Sequence, residues 1–318
     1  MEPIKLSIVI PVYNSEDCLM ELNTQVEKAL SNFPSYELIL VNDRSSDNSW
    51  QKITEVCEKN KKALGVSLRK NSGQDNAIMA GLKIAKGDHI VIMDDDLQHS
   101  PQDILTIYNE CIKGYDICYA FFPRKKQKLW KNIGSWINGK LSEKLLSKPK
   151  EIYLSPFKVL RKEIALEMIK YAGPYPYVDA LLLTITHNVS QISIEHHTRY
   201  KGHGNFSLFR SMNVFLKHAT GYSIYPLRLA VYLGFLSALI AFIFGAYFLI
   251  DYFIGGNKIE GWISTILLIL LLGGSILICL GIIGEYIGRI FLTINKKPQY
   301  TIEKITGNPT TNTDVITK

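Results

Sequence analysis

His89-Ile90-Val91-Ile92-Met93, followed at once by Asp94-Asp95-Asp96-Leu97-Gln98, decides the fold class. Four of the first five residues are apolar and three of them β-branched, which reads as a buried strand. Three adjacent carboxylates repel one another and desolvate poorly, so such a run is tolerated chiefly where a hard cation offsets it, here Mg²⁺ or Mn²⁺. The D-x-D spacing predicts Asp94 and Asp96 on one side of an extended segment, where both can hold an ion that also grips a diphosphate. Taken alone, the triplet reads equally well as a solvated acidic turn.

Working outward, the same strand-then-turn unit recurs upstream. Leu6 to Val12 (LSIVIPV) ends at Pro11, Asn14 and Ser15, and a helical stretch then runs to about Phe33; Tyr36 to Val41 (YELILV) runs into Asn42-Asp43 and a polar turn. Leu64 to Leu68 leads through a Gly-containing turn to a helix over Gln74 to Ala85. Strands alternating with helices predict an α/β, Rossmann-like parallel sheet, doubly wound, with ligands at the carboxyl ends of its strands. Asp43, at the end of the second strand, stands where nucleotide-binding sheets keep an acid for a ribose or base. Asp47 reads as a helix N-cap. Beyond Ile117 to Ala120 the order weakens to an apolar run around Phe157 to Leu160, a helix near Val178 to Thr186 and a strand from Gln191 to His196.

The 318 residues are 47% hydrophobic, which excludes a disordered chain. Leu229 to Ile250 and Gly261 to Gly284 are runs of 22 and 24 residues without a formal charge. Each is long enough to cross about 30 Å of hydrocarbon, so the pair reads as a transmembrane hairpin rather than as two helices of a soluble core. The N-terminus opens on a strand pattern and not on a signal peptide. Arg199, Lys201, Arg210, Lys217 and Arg228 precede the hairpin and Arg289, Lys296 and Lys297 follow it, whereas its link carries only Lys258 among basic residues. That asymmetry places the large domain in the cytoplasm. Five cysteines without close pairing indicate neither a disulfide framework nor a zinc knuckle.

The net charge of +7 is concentrated. Between Phe121 and Lys150 lie nine Lys or Arg against Glu143 as the one acid. Anionic lipid attracts each such residue by about 1 kcal/mol, so this segment reads as a membrane-surface or phosphate-binding patch; a solvated helix face and, with Trp130 and Trp136, nucleic-acid binding are the alternatives. With two crossings downstream the lipid is favoured and no nucleic-acid partner is expected. Phe206 to Tyr222 interleaves aromatics with Arg210, Lys217 and His218, which suits an interfacial helix as well as an ordinary surface helix. The tail from Thr306 is polar and reads as disordered.

Pro11-Val12-Tyr13-Asn14, Val41-Asn42-Asp43 and Asp94-Asp95-Asp96-Leu97-Gln98 together resemble the family 2 glycosyltransferases of GT-A fold. Asp96-Leu97-Gln98-His99-Ser100-Pro101, Arg199-Tyr200-Lys201-Gly202-His203-Gly204-Asn205-Phe206 and Gly281-Ile282-Ile283-Gly284-Glu285-Tyr286-Ile287-Gly288-Arg289 are similar to the polyprenyl-phosphate glycosyltransferases. These include dolichol-phosphate mannose synthases, bactoprenol glucosyltransferases and undecaprenyl-phosphate aminoarabinose transferases. The resemblance implies a GT-A catalytic domain over residues 1–205, an interfacial segment over 206–225, two transmembrane helices within 226–292 and a cytoplasmic tail over 293–318, in a bacterial inner membrane. It implies transfer of a sugar from a nucleotide donor, a UDP-sugar, to polyprenyl phosphate, and a homo-oligomer, a tetramer. By position, Pro11, Tyr13, Asn14, Glu16 and Asp43 would surround the base and ribose, with Asp94 and Asp95 also on the donor. Asp94, Asp96 and Gln98 would hold Mg²⁺ or Mn²⁺; Arg124, Lys128 and Arg199 would meet the acceptor phosphate; Asp96, Arg199 and Asp179 would be catalytic, helix capping being the other reading of Asp179. A processive polysaccharide synthase would share the donor site but carry a Gln-x-x-Arg-Trp segment, and no Arg-Trp pair occurs here. A membrane scaffold that senses a nucleotide sugar without turnover is the non-enzymatic alternative.

Overall fold

Strand β1 (Leu6–Val12) is buried along its whole length and forms the middle of a sheet. The computed structural model describes residues 4–122, 152–173, 175–194, 225–254, 261–295 and 297–307. The other strands are β2 (Tyr36–Asn42), β3 (Ala63–Leu68), β4 (His89–Ile92), β5 (Ile117–Phe121), β6 (Lys158–Arg161), β7 (Val189–Ser193) and β8 (Ile302–Gly307). They stand in the order β7-β5-β6-β4-β1-β2-β3-β8. Helices α1 (Leu19–Ala29), α2 (Ser49–Lys59), α3 (Gln74–Ile84), α4 (Ile104–Cys111), α5 (Lys162–Met168) and α6 (Val178–Ile185) lie between them. Helix α1 buries Leu19, Leu22 and Val26, one stripe of a 3.6-residue period, and each such side chain contributes about 1.5–3 kcal/mol on leaving water.

The expectation of a parallel sheet holds for β3-β2-β1-β4 and again for β7 beside β5, and fails at the other three pairings. Strand β6 runs antiparallel to both β4 and β5, and β8 runs antiparallel to β3. The predicted strand from Gln191 lies earlier, as β7, where Val189 to Ser193 pair in parallel with β5. The larger correction is at the C-terminus: Thr306 and Gly307, read as the start of a disordered tail, are the end of β8. Gly65 makes the pairing possible, since a Cβ there would stand 2.7 Å from Thr306 Cγ2 and would also meet Ile53. Glu303 bridges to Arg44 at 2.8 Å and the Lys304 ammonium sits 5.0 Å over the Trp50 ring. Residues 1–205 and 296–318 therefore make one compact unit.

Residues 206–295 make the second unit. Its described part is helix α7 (Tyr225–Ile254) and helix α8 (Trp262–Ile294). Both outrun the uncharged stretches that predicted them, because a helix ends where its backbone stops, not where charge begins; α8 carries Glu285 and Arg289 as an i,i+4 pair at 3.1 Å. Windows over Ala230–Tyr247 and Leu271–Ile294 have mean hydropathy of 2.0 and 1.8, with 6% and 0% of their residues buried in the structure. Exposed Phe235, Phe242, Ile276 and Leu277 suit lipid better than water. Ser237 and Ser275 hydroxyls meet across the pair at 3.3 Å, the kind of polar contact that joins helices in an apolar medium.

Candidate active site

Strands β1 to β3 step outward to one side and β4 returns to the other side of β1, so the chain changes direction between β1 and β4. A sheet of this kind binds ligands at such a point, outside the carboxyl ends of its strands. Pairing of β1 with β4 stops at Val9 and Ile92 while β1 continues along β2 to Val12. Pro11, which has no N–H to give, thus stands beyond the last β4 partner. Past it, the Tyr13 N–H donates to Asp95 Oδ2 at 3.3 Å, bridging the two strand ends, and the Tyr13 side chain is 51% exposed.

Asp43 lies at the same end and is 3% exposed. Its oxygens accept the backbone N–H groups of Ser72 at 2.6 Å and Gly73 at 2.7 Å. Burial raises its carboxyl above the usual range, and these two bonds oppose that rise without overcoming it. Gly73 has φ of +94°, a backbone state open to glycine, and its N–H reaches the carboxylate from there. Asn14 and Glu16, expected at a base, also hold backbone: Asn14 Oδ1 accepts from the Ser46 N–H at 2.8 Å, and Glu16 Oε2 from the Asn48 N–H at 3.0 Å. Asp47 stands one residue before the N-cap of α2, Asn48, and still caps in effect, accepting from the Ser49 N–H at 3.0 Å.

The three aspartates do not extend the strand. Residues 95–99 form a bend with Leu97 at φ of +59°, closed by the Gln98 N–H donating to Asp96 Oδ1 at 3.0 Å. Ser100 and Pro101 then start a short 3-10 turn, the serine hydroxyl accepting from the Gln102 N–H. All three acids are half-buried. Asp94 is pushed up to about 7, by burial first and then by Asp96 and Asp95, although Gln74 Nε2 donates to its Oδ1 at 2.7 Å. Asp95 is pushed up to about 6, mainly by burial. Among the described residues no three acidic, histidine or cysteine side chains form a ready cage for a metal. The donor set nonetheless fits a hard divalent ion, because Mg²⁺ is ordinarily held by one or two carboxylates and completed by phosphate oxygens and water, and the crowded charge at Asp94 is what such an ion would relieve.

Behind the bend lies a cluster of which sequence reading named Asp179 alone. Lys158, in β6, is 2% exposed and ion-pairs with Asp179 of α6. The Tyr119 hydroxyl of β5 donates to the same Asp179 oxygen at 3.0 Å. Asp75 of α3 accepts the Val178 N–H at 3.1 Å and is pushed up to about 6, mainly by burial. Asp179 is not the cap of α6, whose N-cap position is Tyr177. The available signal was a lysine inside the apolar run from Phe157 to Leu160, since a charge in a buried strand requires a partner. Pro11, Tyr13, Asn14, Glu16, Asp43, Asp94, Asp95, Asp96 and Gln98 thus lie at or just beyond one end of the sheet, with Asp179 behind the bend. Arg124, Lys128 and Arg199 lie outside the described residues, as do the basic segment beyond Phe122 and the segment 206–222.

A family model described as glycosyl transferase family 2 matches residues 7–168, and one described as the GtrB C-terminal hairpin matches residues 225–290. An undecaprenyl-phosphate 4-deoxy-4-formamido-L-arabinose transferase of Yersinia pestis is 30% identical over 313 residues, covering 96% of this chain and 95% of that protein. A protein of the same name from Klebsiella pneumoniae is 29% identical over 311 residues, covering 96% and 95%. Among solved structures, glucosyl-3-phosphoglycerate synthase from Mycobacterium tuberculosis, in complex with Mn²⁺, uridine diphosphate and phosphoglyceric acid, has a TM-score of 0.51 at 16% identity. It covers 68% of this chain and 78% of its own, a likeness of fold.

Proposed function

Because the chain belongs to glycosyl transferase family 2, we propose that it moves a sugar from a nucleoside-diphosphate donor, a UDP-sugar, to undecaprenyl phosphate, with inversion at the anomeric carbon. The observation that carries this reading is the acidic bend at the sheet's switch point, in a unit whose chain leaves into an apolar helical hairpin and returns as β8. Relatives alike over nearly their full length are undecaprenyl-phosphate transferases by name, and a fold neighbour binds Mn²⁺ and uridine diphosphate. Since both ends of the hairpin join one folded unit, two crossings leave that unit on a single side, which the Lys and Arg asymmetry makes the cytoplasm.

The chemistry follows from charge. A lipid phosphate is already an anion near neutral pH, so it can attack the anomeric carbon without a strong base. What opposes the reaction is the approach of two anions, roughly 4 kcal/mol per charge pair at 4 Å and an effective dielectric of 20. Asp94 and Asp96, with Gln98, would hold a divalent ion that neutralises the donor diphosphate and its departing form. Arg199, Arg124 and Lys128 would meet the acceptor phosphate, the guanidinium by paired hydrogen bonds. Tyr13, exposed above the end of β1, would offer its ring to the base, and the loop held by Asn14, Glu16 and Asp43 would frame the nucleotide. The test is to incubate the full-length chain in detergent with undecaprenyl phosphate and a panel of nucleotide sugars. A sugar-loaded lipid phosphate seen by mass with one donor and lost in excess EDTA is expected. Loading that persists in EDTA would remove the ion, and no loading across the panel would remove the activity.

A further inference from the structure

Lys158 sits under the acidic bend with three carboxyls in reach of its charge. In the sheet it lies opposite Ile92 of β4 on one side and Tyr119 of β5 on the other, and Asp94 is two residues beyond Ile92. Cross-strand neighbours offset by two residues are about 7–8 Å apart, within reach of a long side chain. The lysine charge lowers the Asp94 and Asp75 carboxyls, against the burial that raises both. Yet the ammonium is paired with neither. It is held by Asp179, with the Tyr119 ring centre 5.2 Å away and the Tyr119 hydroxyl on the same carboxylate oxygen. Asp179 is itself fixed in the first turn of α6, which is tied to α3 through the bond from Val178 to Asp75. An ammonium removed from water needs a carboxylate beside it; without Asp179, the nearest to turn to would be those of Asp94 and Asp75.

We propose that Asp179 is a positioning residue that acts through Lys158: by holding the buried ammonium it keeps that charge off Asp94 and leaves the Asp94 carboxylate open to a divalent cation. The inference rests on Asp94 and Asp96 being the cation site. It assigns Asp179 neither to proton transfer nor to the metal. An ammonium on its flexible four-carbon stem can swing to a new partner, and once paired with Asp94 it would compete directly with the ion.

The test reads Mn²⁺ binding, not turnover. Full-length protein in detergent is titrated with Mn²⁺ alone, and free ion is followed by electron paramagnetic resonance. Asp179→Asn keeps an oxygen for the Tyr119 hydroxyl but loses the ion pair, and its Kd for Mn²⁺ should rise by roughly tenfold or more, the scale on which one adjacent charge moves an equilibrium at a carboxylate. Adding Lys158→Met to Asp179→Asn should bring the Kd back to within about threefold of wild type, a coupling that only an interacting pair shows. Lys158→Met alone should bind Mn²⁺ at least as tightly as wild type, which keeps the inference testable if Asp179→Asn does not fold. Unchanged binding in Asp179→Asn, a double variant that stays weak, or weakened binding in Lys158→Met would each overturn the inference while leaving the cation site standing. Wild-type protein that takes up no Mn²⁺ would overturn the cation site and the inference with it.

Discussion

Asn and Ala at position 43 should destabilise the chain by clearly different amounts. The carboxylate accepts two short backbone bonds, at 2.6 and 2.7 Å, in a place that is 3% exposed. A hydrogen bond to a charged group is worth about 1.5–3 kcal/mol. Asp43→Ala loses both and leaves the N–H groups of Ser72 and Gly73 without this acceptor, so about 3–5 kcal/mol should go. Asp43→Asn keeps one oxygen and turns an amide N–H₂ toward the other donor, losing one bond. Both variants escape the burial that holds the Asp43 carboxyl above its ordinary range, so that relief cancels between them and the difference is about one charge-assisted bond, about 1.5–3 kcal/mol. The net cost for Asn should be about 1–2 kcal/mol. Denaturant unfolding of the detergent-solubilised variants at pH 7.5 measures both. Equal losses, or losses below about 0.5 kcal/mol for both, would mean that Asp43 does not build the turn into α3.

Asp75→Asn should be stabilising, and only away from acid. The folded carboxyl titrates at about 6 against an ordinary 3.8, so the folded chain holds its proton more tightly and stability falls as pH rises from about 4 to 6, by up to about 3 kcal/mol above pH 6. Asn can still accept from the Val178 N–H, so the variant should melt higher than wild type at pH 8 and level with it at pH 4; the same difference at both pH values would dismiss the titration. Gly65→Ala puts a methyl group against Ile53 and Thr306 and should cost about 1–3 kcal/mol by overpacking; an unchanged unfolding midpoint would show that β8 does not pack there in solution. Arg199→Ala should lose about 2–4 kcal/mol of transition-state stabilisation, mainly in kcat, with Arg199→Lys intermediate. Melting temperatures taken alongside decide whether that loss is chemical, and a parallel fall in stability would remove Arg199 from the site.

Much of the first half of the sheet was legible because its signals are local. Strands β1, β2 and β4 carry β-branched residues and end at Pro11-Val12, at Asn42 before Asp43, and just before the three aspartates, and these residues mark the switch point. What escaped reading depends on pairing across long separations. Ile302 to Gly307 (IEKITG) has only two apolar residues, three apart, so it lacks a strand's alternation, and it becomes a strand because β3 offers an edge and Gly65 leaves room for Thr306. Lys158 looked like an interruption in an apolar run until Asp179 and Tyr119 closed on it from elements 21 and 39 residues away in sequence. Spacing singled out Asp94 and Asp96 as a pair, but the extended geometry expected of them gives way to a bend, since Leu97 adopts a left-handed conformation that spacing does not encode.

Sugar transfer to a lipid phosphate requires that the two substrates be coupled, and that coupling can be measured. With the accepted donor fixed, release of nucleoside diphosphate is followed as undecaprenyl phosphate is added to the full-length chain, beside Asp96→Asn. The expected release depends on the lipid phosphate, matches lipid-linked sugar one for one, and falls by several kcal/mol of transition-state stabilisation in Asp96→Asn. Release that proceeds equally without the lipid, or nucleotide binding with no release at all, would contradict sugar transfer to a lipid phosphate.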